Sequence, residues 1–173
     1  MNICFTGHRP KEFGGWDIDC PENVRIWLNK YIDKLIELRN EVTFISGAAQ
    51  GIDQWAADIV IEKKKTNPNV KLLMAIPYYN FGHNWPEKAK KHLEEINKQA
   101  DNVIFVHKGN WEGNNYLLQL RNEWMVDHSQ IVLAVWNGSL GGTRNCVMYA
   151  IKQNVPIIRY DFLNDNTIKI KTS

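Results

Sequence analysis

Three apolar segments of this chain each end in a turn that carries glycine. The turns are Gly7 to Pro10, Gly47 to Asp53 and Leu140 to Asn145. A buried strand that stops at glycine and leads into a helix leaves free backbone N–H groups at the positive end of the helix dipole, where anions bind. Since the carboxyl ends of parallel strands lie along one edge of a sheet, we expect the three turns to converge on one ligand site.

The remainder of the sequence alternates short apolar runs with longer segments of helical period. Predicted strands cover 2–6, 42–46, 70–76, 102–106, 130–136 and 155–160, and predicted helices cover 23–39, 52–65, 85–99, 116–128 and 142–153. Strands that alternate with helices of this length form βαβ units with right-handed crossovers. We therefore predict an α/β fold with a doubly wound, mainly parallel sheet of the Rossmann-like type. Residues 11–21 are predicted to form a loop near the site.

Length and composition predict one folded domain over residues 1–173. A chain of 173 residues with 44% hydrophobic residues can bury a complete core. No internal repeat, low-complexity tract or linker divides the sequence. Residues 161–173 are polar and are predicted to form a tail.

Charge and cysteine usage narrow the function classes. The chain carries 21 basic and 19 acidic side chains, mixed along its length, for a formal net charge of +2. This balance gives no support for nucleic acid or a membrane surface as a partner. Cys4, Cys20 and Cys146 are odd in number and form no C-x-x-C pair, and the sequence shows no leader-like or membrane-spanning segment. We therefore expect a soluble cytoplasmic protein.

Two common phosphate motifs are absent from the sequence. There is no G-x-x-x-x-G-K-[ST] anywhere and no G-x-G-x-x-G after the first predicted strand. P-loop triphosphate hydrolysis and dinucleotide redox chemistry are therefore disfavoured. The histidines and cysteines also lack the spacing of metal ligands. We expect neither a metal nor a bound cofactor.

The turn at Gly141, Gly142 and Thr143 is the principal candidate for phosphate binding. Glycine also serves in tight strand-to-helix connections that hold no ligand, because it tolerates unusual backbone angles. The similar turn at Gly47 and Gly51 favours phosphate binding, since both turns would lie at the ligand edge of the sheet.

His8 and Arg9 directly follow the first predicted strand. Arg9 would place a planar cation at the edge of the site, where it can bind a phosphate or carboxylate with two hydrogen bonds. The alternative is a surface Arg that pairs with a protein carboxylate. For His8 three roles stay open: stacking on a base, donating a proton, or making a structural hydrogen bond.

Asp53 opens the second predicted helix, where an acidic residue interacts favourably with the helix dipole. The same carboxylate could accept hydrogen bonds from a ribose, and its position in the sequence does not separate the two roles.

Four motifs of the sequence occur together, and in the same order, in a known family. They are Thr6-Gly-His-Arg-Pro10, Ser46-Gly-Ala-Ala-Gln-Gly-Ile-Asp53, Arg121-Asn-Glu-Trp-Met-Val-Asp127 and Gly141-Gly-Thr143. In this combination the chain resembles the YpsA/YoqJ-like branch of the SLOG superfamily. The resemblance implies a Rossmannoid fold that binds a nucleotide or nucleotide derivative, and a homodimer, since such folds commonly pair. The pocket that it implies is lined by Gly7, His8, Arg9, Gly47, Gly51, Asp53, Arg121, Asn122, Gly141, Gly142 and Thr143.

The SLOG superfamily also contains the LOG-type phosphoribohydrolases, which cleave a base from a nucleoside monophosphate and carry a Gly-Gly-x-Gly-Thr-x-x-Glu signature. Here Thr143 is followed by Arg144-Asn-Cys-Val147, without that Glu. Glycosidic cleavage needs a carboxylate, for which Asp53 and Glu123 are the candidates. The sequence therefore favours binding over turnover: a sensor or sequestering protein for an adenine nucleotide or an ADP-ribose-like ligand. A nucleotide N-glycosidase and an interaction module with a vestigial pocket are the alternatives.

Overall fold

The computed structural model of the chain describes residues 1–113 and 115–171, and its centre is one seven-stranded sheet. The strands are β1 (Asn2–Gly7), β2 (Val42–Ser46), β3 (Val70–Ile76), β4 (Asn102–Phe105), β5 (Ile131–Val135), β6 (Ile157–Asp161) and β7 (Asn166–Ile170). The helices are α1 (Glu22–Glu37), α2 (Ile52–Lys64), α3 (Glu87–Gln99), α4 (Tyr116–Asp127) and α5 (Gly142–Lys152), and a single 3-10 turn covers Pro10–Phe13. Helix α3 starts two residues later than predicted, because Pro86 occupies its N-cap.

The strand order explains where a ligand site can form. The order across the sheet is β4-β3-β2-β1-β5-β6-β7, and β1 to β6 are all parallel. The chain runs outward from β1 to β4, then returns to the other side of β1 and continues with β5. The reversal creates a crevice between the carboxyl ends of β1 and β5, which is where open α/β sheets bind ligands. The prediction of a doubly wound, mainly parallel sheet is confirmed.

The hydrophobic core lies on both faces of the sheet. One layer contains Phe5 and Phe44, whose rings stack at 5.6 Å between centroids, and packs against α1, α2 and α3. The other layer contains Cys4 and Ile45, the neighbours of those residues along the strands, and packs against α4 and α5. Because the central strands are covered on both faces, they are almost continuously apolar in sequence.

The prediction of a polar tail over 161–173 is wrong for the described part of that segment. Residues 166–170 form β7, which pairs antiparallel with β6 and opposes Ile170 to Ile157. The indole N–H of Trp27 donates to the hydroxyl of Thr167 at 2.9 Å and fixes the strand against α1. The β-branched residues in Asn-Thr-Ile-Lys-Ile were the available strand signal. Residues 172 and 173 lie outside the described part.

Within the ranges given above, no helix is long and apolar enough to cross a membrane.

Candidate functional site

A cavity of about 330 Å³ opens in the crevice between the carboxyl ends of β1 and β5. Nine of the residues predicted to bind ligand line it: Gly7, His8, Arg9, Asp53, Arg121, Asn122, Gly141, Gly142 and Thr143. They come from the end of β1, the start of α2, the middle of α4 and the start of α5. Residues that are far apart in sequence therefore meet at one place.

The start of α5 supplies backbone N–H groups to this cavity. Gly141 has φ 138°, a conformation that favours glycine, and its carbonyl accepts the first helical hydrogen bond from Asn145 N–H at 3.1 Å. No side chain of a described residue caps this helix. The N–H groups of its first turn are therefore available to an anion. A Cβ added to Gly142 would meet no atom within 4 Å, so the cavity is open at that point.

Arg121 and Asp53 form a buried ion pair in the wall of the cavity. Arg121 Nη1 lies 3.2 Å from Asp53 Oδ2, and the two side chains are 5% and 6% exposed. Arg121 Nη1 also donates to the carbonyl of Gly47, and Ala49 N–H donates to Asp53 Oδ2 at 3.3 Å. Burial raises the pKa of Asp53, whereas the guanidinium groups of Arg121 and Arg9 act against that rise. The pair fixes the loop after β2.

Arg9 differs from Arg121 in its contacts with the described residues. Arg9 lines the cavity, and its side chain makes no hydrogen bond or ion pair to residues 1–113 or 115–171. Burial lowers the pKa of Arg9, Asp53 opposes this shift and Arg121 adds to it. An Arg remains charged under all ordinary conditions. Arg9 therefore adds a positive charge that Asp53, already paired with Arg121, offsets only in part.

His8 is held in place by the loop that follows β5. Its Nε2 lies 2.8 Å from the side-chain oxygen of Asn137, and that oxygen also accepts the backbone N–H of Ser139 at 3.1 Å. The ring packs edge-on against Phe162 at 5.6 Å between centroids. Burial lowers the pKa of His8. Of the roles left open by the sequence, this geometry matches a structural hydrogen bond.

Gly47 and Gly51 were predicted to line the pocket, and the structure places both behind its wall. A Cβ on Gly47 would lie 2.5 Å from Arg121 Cζ and 2.7 Å from Asp53 Oδ2. A Cβ on Gly51, which has φ 93°, would lie 2.5 Å from the carbonyl oxygen of His8. These glycines make room for other protein groups and do not face the cavity.

Glu123, one of the two predicted catalytic candidates, is also not among the lining residues. It lies on α4 and accepts a hydrogen bond from Gln119 Nε2 at 2.9 Å. Asp53 does line the cavity, but it is bound to Arg121. The structure therefore does not bring the two candidate carboxylates together.

Sequence reasoning missed several lining residues, among them Lys11 and Glu12 of the 3-10 turn, Leu118 of α4 and Leu140. Leu118 had a usable signal, since it precedes Arg121 by three residues and such residues share a helix face. Lys11 and Glu12 lie in the segment 11–21, which was predicted to form a loop near the site, but nothing in the sequence selected these two side chains within it. Among described residues, no group of three His, Cys, Asp or Glu side chains is arranged to hold a metal.

Fold and site together define a Rossmann-like α/β protein whose candidate ligand cavity lies at the topological switch point. The YpsA family model, described as the YspA SLOG family, matches residues 3–163. The chain belongs to this SLOG family.

Relatives of similar length support this assignment. The uncharacterised SPbeta prophage-derived protein YoqJ of Bacillus subtilis (strain 168) is 36% identical over 130 residues, which cover 70% of this chain and 76% of that protein. A UPF0398 protein of Bacillus cereus is 29% identical over 160 residues, which cover 91% of this chain and 86% of that protein.

Two solved structures share the fold. DNA processing protein A of Helicobacter pylori, described with its single-stranded DNA binding mode, aligns with a TM-score of 0.65 and 17% identity over 92% of this chain and 65% of that chain. DNA processing protein A of Streptococcus pneumoniae gives the same TM-score and identity over 92% of this chain and 50% of that chain. This chain thus spans about two thirds of the first protein and one half of the second. At 17% sequence identity, the structural similarity shows the fold alone.

Proposed function

We propose that this chain binds a nucleotide or nucleotide derivative, such as an adenine nucleotide or an ADP-ribose-like molecule, through its phosphate, as a sensor or sequestering protein. One observation carries the proposal: Arg9, whose side chain makes no hydrogen bond or ion pair to a described residue, lines the same cavity as the uncapped start of α5. A planar cation and a set of free N–H groups are the two elements that bind phosphate best in proteins.

The charges around the cavity support an anionic ligand. Asp53 compensates Arg121, and Lys11 lies 3.8 Å from Glu12, so these pairs approximately cancel. Arg9 and the helix dipole of α5 then leave the cavity positive. A phosphate would complete this arrangement, because it accepts several hydrogen bonds and carries the opposite charge.

The positions of the two candidate carboxylates, Asp53 and Glu123, favour binding without turnover. An N-glycosidase needs a carboxylate that can activate water or stabilise the sugar cation. Asp53 is held by Arg121 and Ala49 N–H, and Glu123 lies outside the cavity. Cys146, which stands three residues after Thr143 where the LOG-type signature has Glu, is fully buried.

The experiment is to incubate the purified chain with a pool of nucleoside mono- and diphosphates, NAD, ADP-ribose and a short thymidine oligonucleotide. Mass spectrometry then identifies both the retained and the released molecules. The proposal predicts retention of an intact nucleotide. Free base would instead identify an N-glycosidase, and retention of the oligonucleotide alone would give this chain the ligand class reported for the Helicobacter pylori protein. No retention at all would leave an interaction module with a vestigial pocket.

A further inference from the structure

The mouth of the cavity contains an unusually exposed apolar side chain. Leu140 directly precedes Gly141, and at 83% it is the most exposed large hydrophobic residue of the described chain. An exposed leucine is common on protein surfaces. Leu140, however, lines the same cavity as Arg9 and the start of α5.

A second leucine lies at the same end of the cavity. Leu118 precedes Arg121 and Asn122 by three and four residues on α4, and all three line the cavity. Helix α4 connects β4 to the parallel strand β5, so it starts at the carboxyl edge of the sheet and runs away from it. Leu118 is therefore one turn nearer to the mouth than Arg121.

The cavity thus divides into two parts of different chemistry. One part contains Arg9 and the start of α5, which give it a positive charge, and the other contains the apolar side chains of Leu118 and Leu140. A ligand that fits both parts has an anionic group at one end and a flat apolar surface at the other.

We infer that Leu118 and Leu140 contact the base of the bound nucleotide, whose phosphate binds at Arg9 and the start of α5. The inference rests on the proposed function and adds the orientation of the ligand and the tolerance of the site for different bases. A base contributes most of the apolar surface of a nucleotide, so a sugar phosphate without a base binds more weakly. Because leucine contacts the face of a base and not its hydrogen-bonding edge, the contact tolerates different bases.

The test compares adenosine monophosphate with ribose 5-phosphate by calorimetric titration. The wild type is expected to bind the nucleotide at least about tenfold more tightly, from burial of the base against apolar side chains. Leu140→Ser is expected to weaken nucleotide binding by about tenfold and to leave ribose 5-phosphate binding within about twofold of wild type. Because Leu140 is 83% exposed, this variant should fold normally. Leu118→Ala is expected to act in the same direction.

The matched control is Leu38→Ser. Leu38 is 63% exposed and follows the last residue of α1, a helix that starts at the carboxyl edge of the sheet and ends at the opposite edge. The control is expected to bind both ligands as wild type does. Equal binding of the two ligands, together with unchanged nucleotide binding by Leu140→Ser, would overturn the base contact while leaving phosphate binding intact. Failure of the wild type to bind either ligand, or any nucleotide of the pool used above, would overturn the proposed function and this inference with it.

Discussion

Arg121 of α4 and Asp53 of α2 meet across the end of β2, with Arg121 Nη1 3.2 Å from Asp53 Oδ2. The contact joins the two helix layers on opposite faces of the sheet. It also holds the loop after β2, since Arg121 bonds the Gly47 carbonyl and Asp53 accepts from Ala49 N–H. One ion pair therefore supports the wall of the ligand cavity.

Asp53→Asn tests the structural role of this pair. The substitution removes the charge that compensates Arg121 and, in part, Arg9, and an uncompensated buried charge typically costs about 3–5 kcal/mol. Chemical denaturation should show a loss of unfolding free energy of that order. Asp17→Asn is the control, because the pair of Asp17 with Lys88 is 81% and 83% exposed and should leave stability unchanged. Equal effects of the two substitutions would contradict the role assigned to Asp53.

Gly47→Ala and Gly142→Ala form a second matched pair. A Cβ at position 47 would lie 2.5 Å from Arg121 Cζ, whereas a Cβ at position 142 meets no atom within 4 Å. Gly47→Ala should therefore destabilise the fold by about 1–3 kcal/mol through overpacking, and Gly142→Ala should not. Thermal unfolding of both variants under one condition measures the difference. A stable Gly47→Ala variant would show that Arg121 does not pack against this glycine.

Gly47 shows what the sequence could and could not predict. The strand ends and the crevice followed from apolar runs that stop at glycine, because a parallel sheet brings those ends to one edge. The sequence did not show whether a glycine makes room for a ligand or for another side chain. The group that fills the space beside Gly47 is Arg121, which is 74 residues away in sequence. A local sequence pattern gives no information on a contact between residues that are so far apart in the sequence.

The edge strand β7 was missed for a related reason. Its segment is polar and short, and only its pairing with β6 turns it into a strand. The turn between the two strands is fixed by Tyr160, whose hydroxyl lies 2.7 Å from a carboxylate oxygen of Asp165, and Asp165 has φ 47°. Asn164 and Asp165 are residue types that favour a turn, but the pairing of β7 with β6 decided the outcome.

The contact between His92 and Asp58 should make a pH-dependent contribution to the stability of the fold. Their side chains approach to 3.0 Å between α3 and α2, and the hydrogen bond to Asp58 raises the pKa of His92 above its ordinary value. The stabilisation is therefore complete below about pH 6.5 and is lost as pH rises through the raised pKa. Asp58→Asn should lower the melting temperature more at about pH 5.5 than at about pH 9. The effect should be small, since both side chains are about two-fifths exposed. A pH-independent difference would contradict the assignment.

Arg9→Ala tests the cation of the phosphate site. A charge-assisted hydrogen bond contributes about 1.5–3 kcal/mol, so a nucleotide retained by the wild type should bind at least about tenfold more weakly to the variant. Arg39→Ala serves as the control, because Arg39 is an exposed residue beyond the end of α1. Titration calorimetry of both variants gives the comparison. Unchanged affinity in Arg9→Ala would remove Arg9 from the site.

The most direct test of phosphate binding at the start of α5 is the pair Gly142→Glu and Gly142→Gln. The two side chains have nearly the same size, and a Cβ at Gly142 meets no atom within 4 Å. They differ in charge alone, so only a carboxylate should repel a phosphate from the first turn of the helix. We measure the nucleotide retained by each variant and by the wild type, using mass spectrometry. The account predicts retention that is lost in Gly142→Glu and substantially kept in Gly142→Gln, and equal retention by the two variants would contradict it.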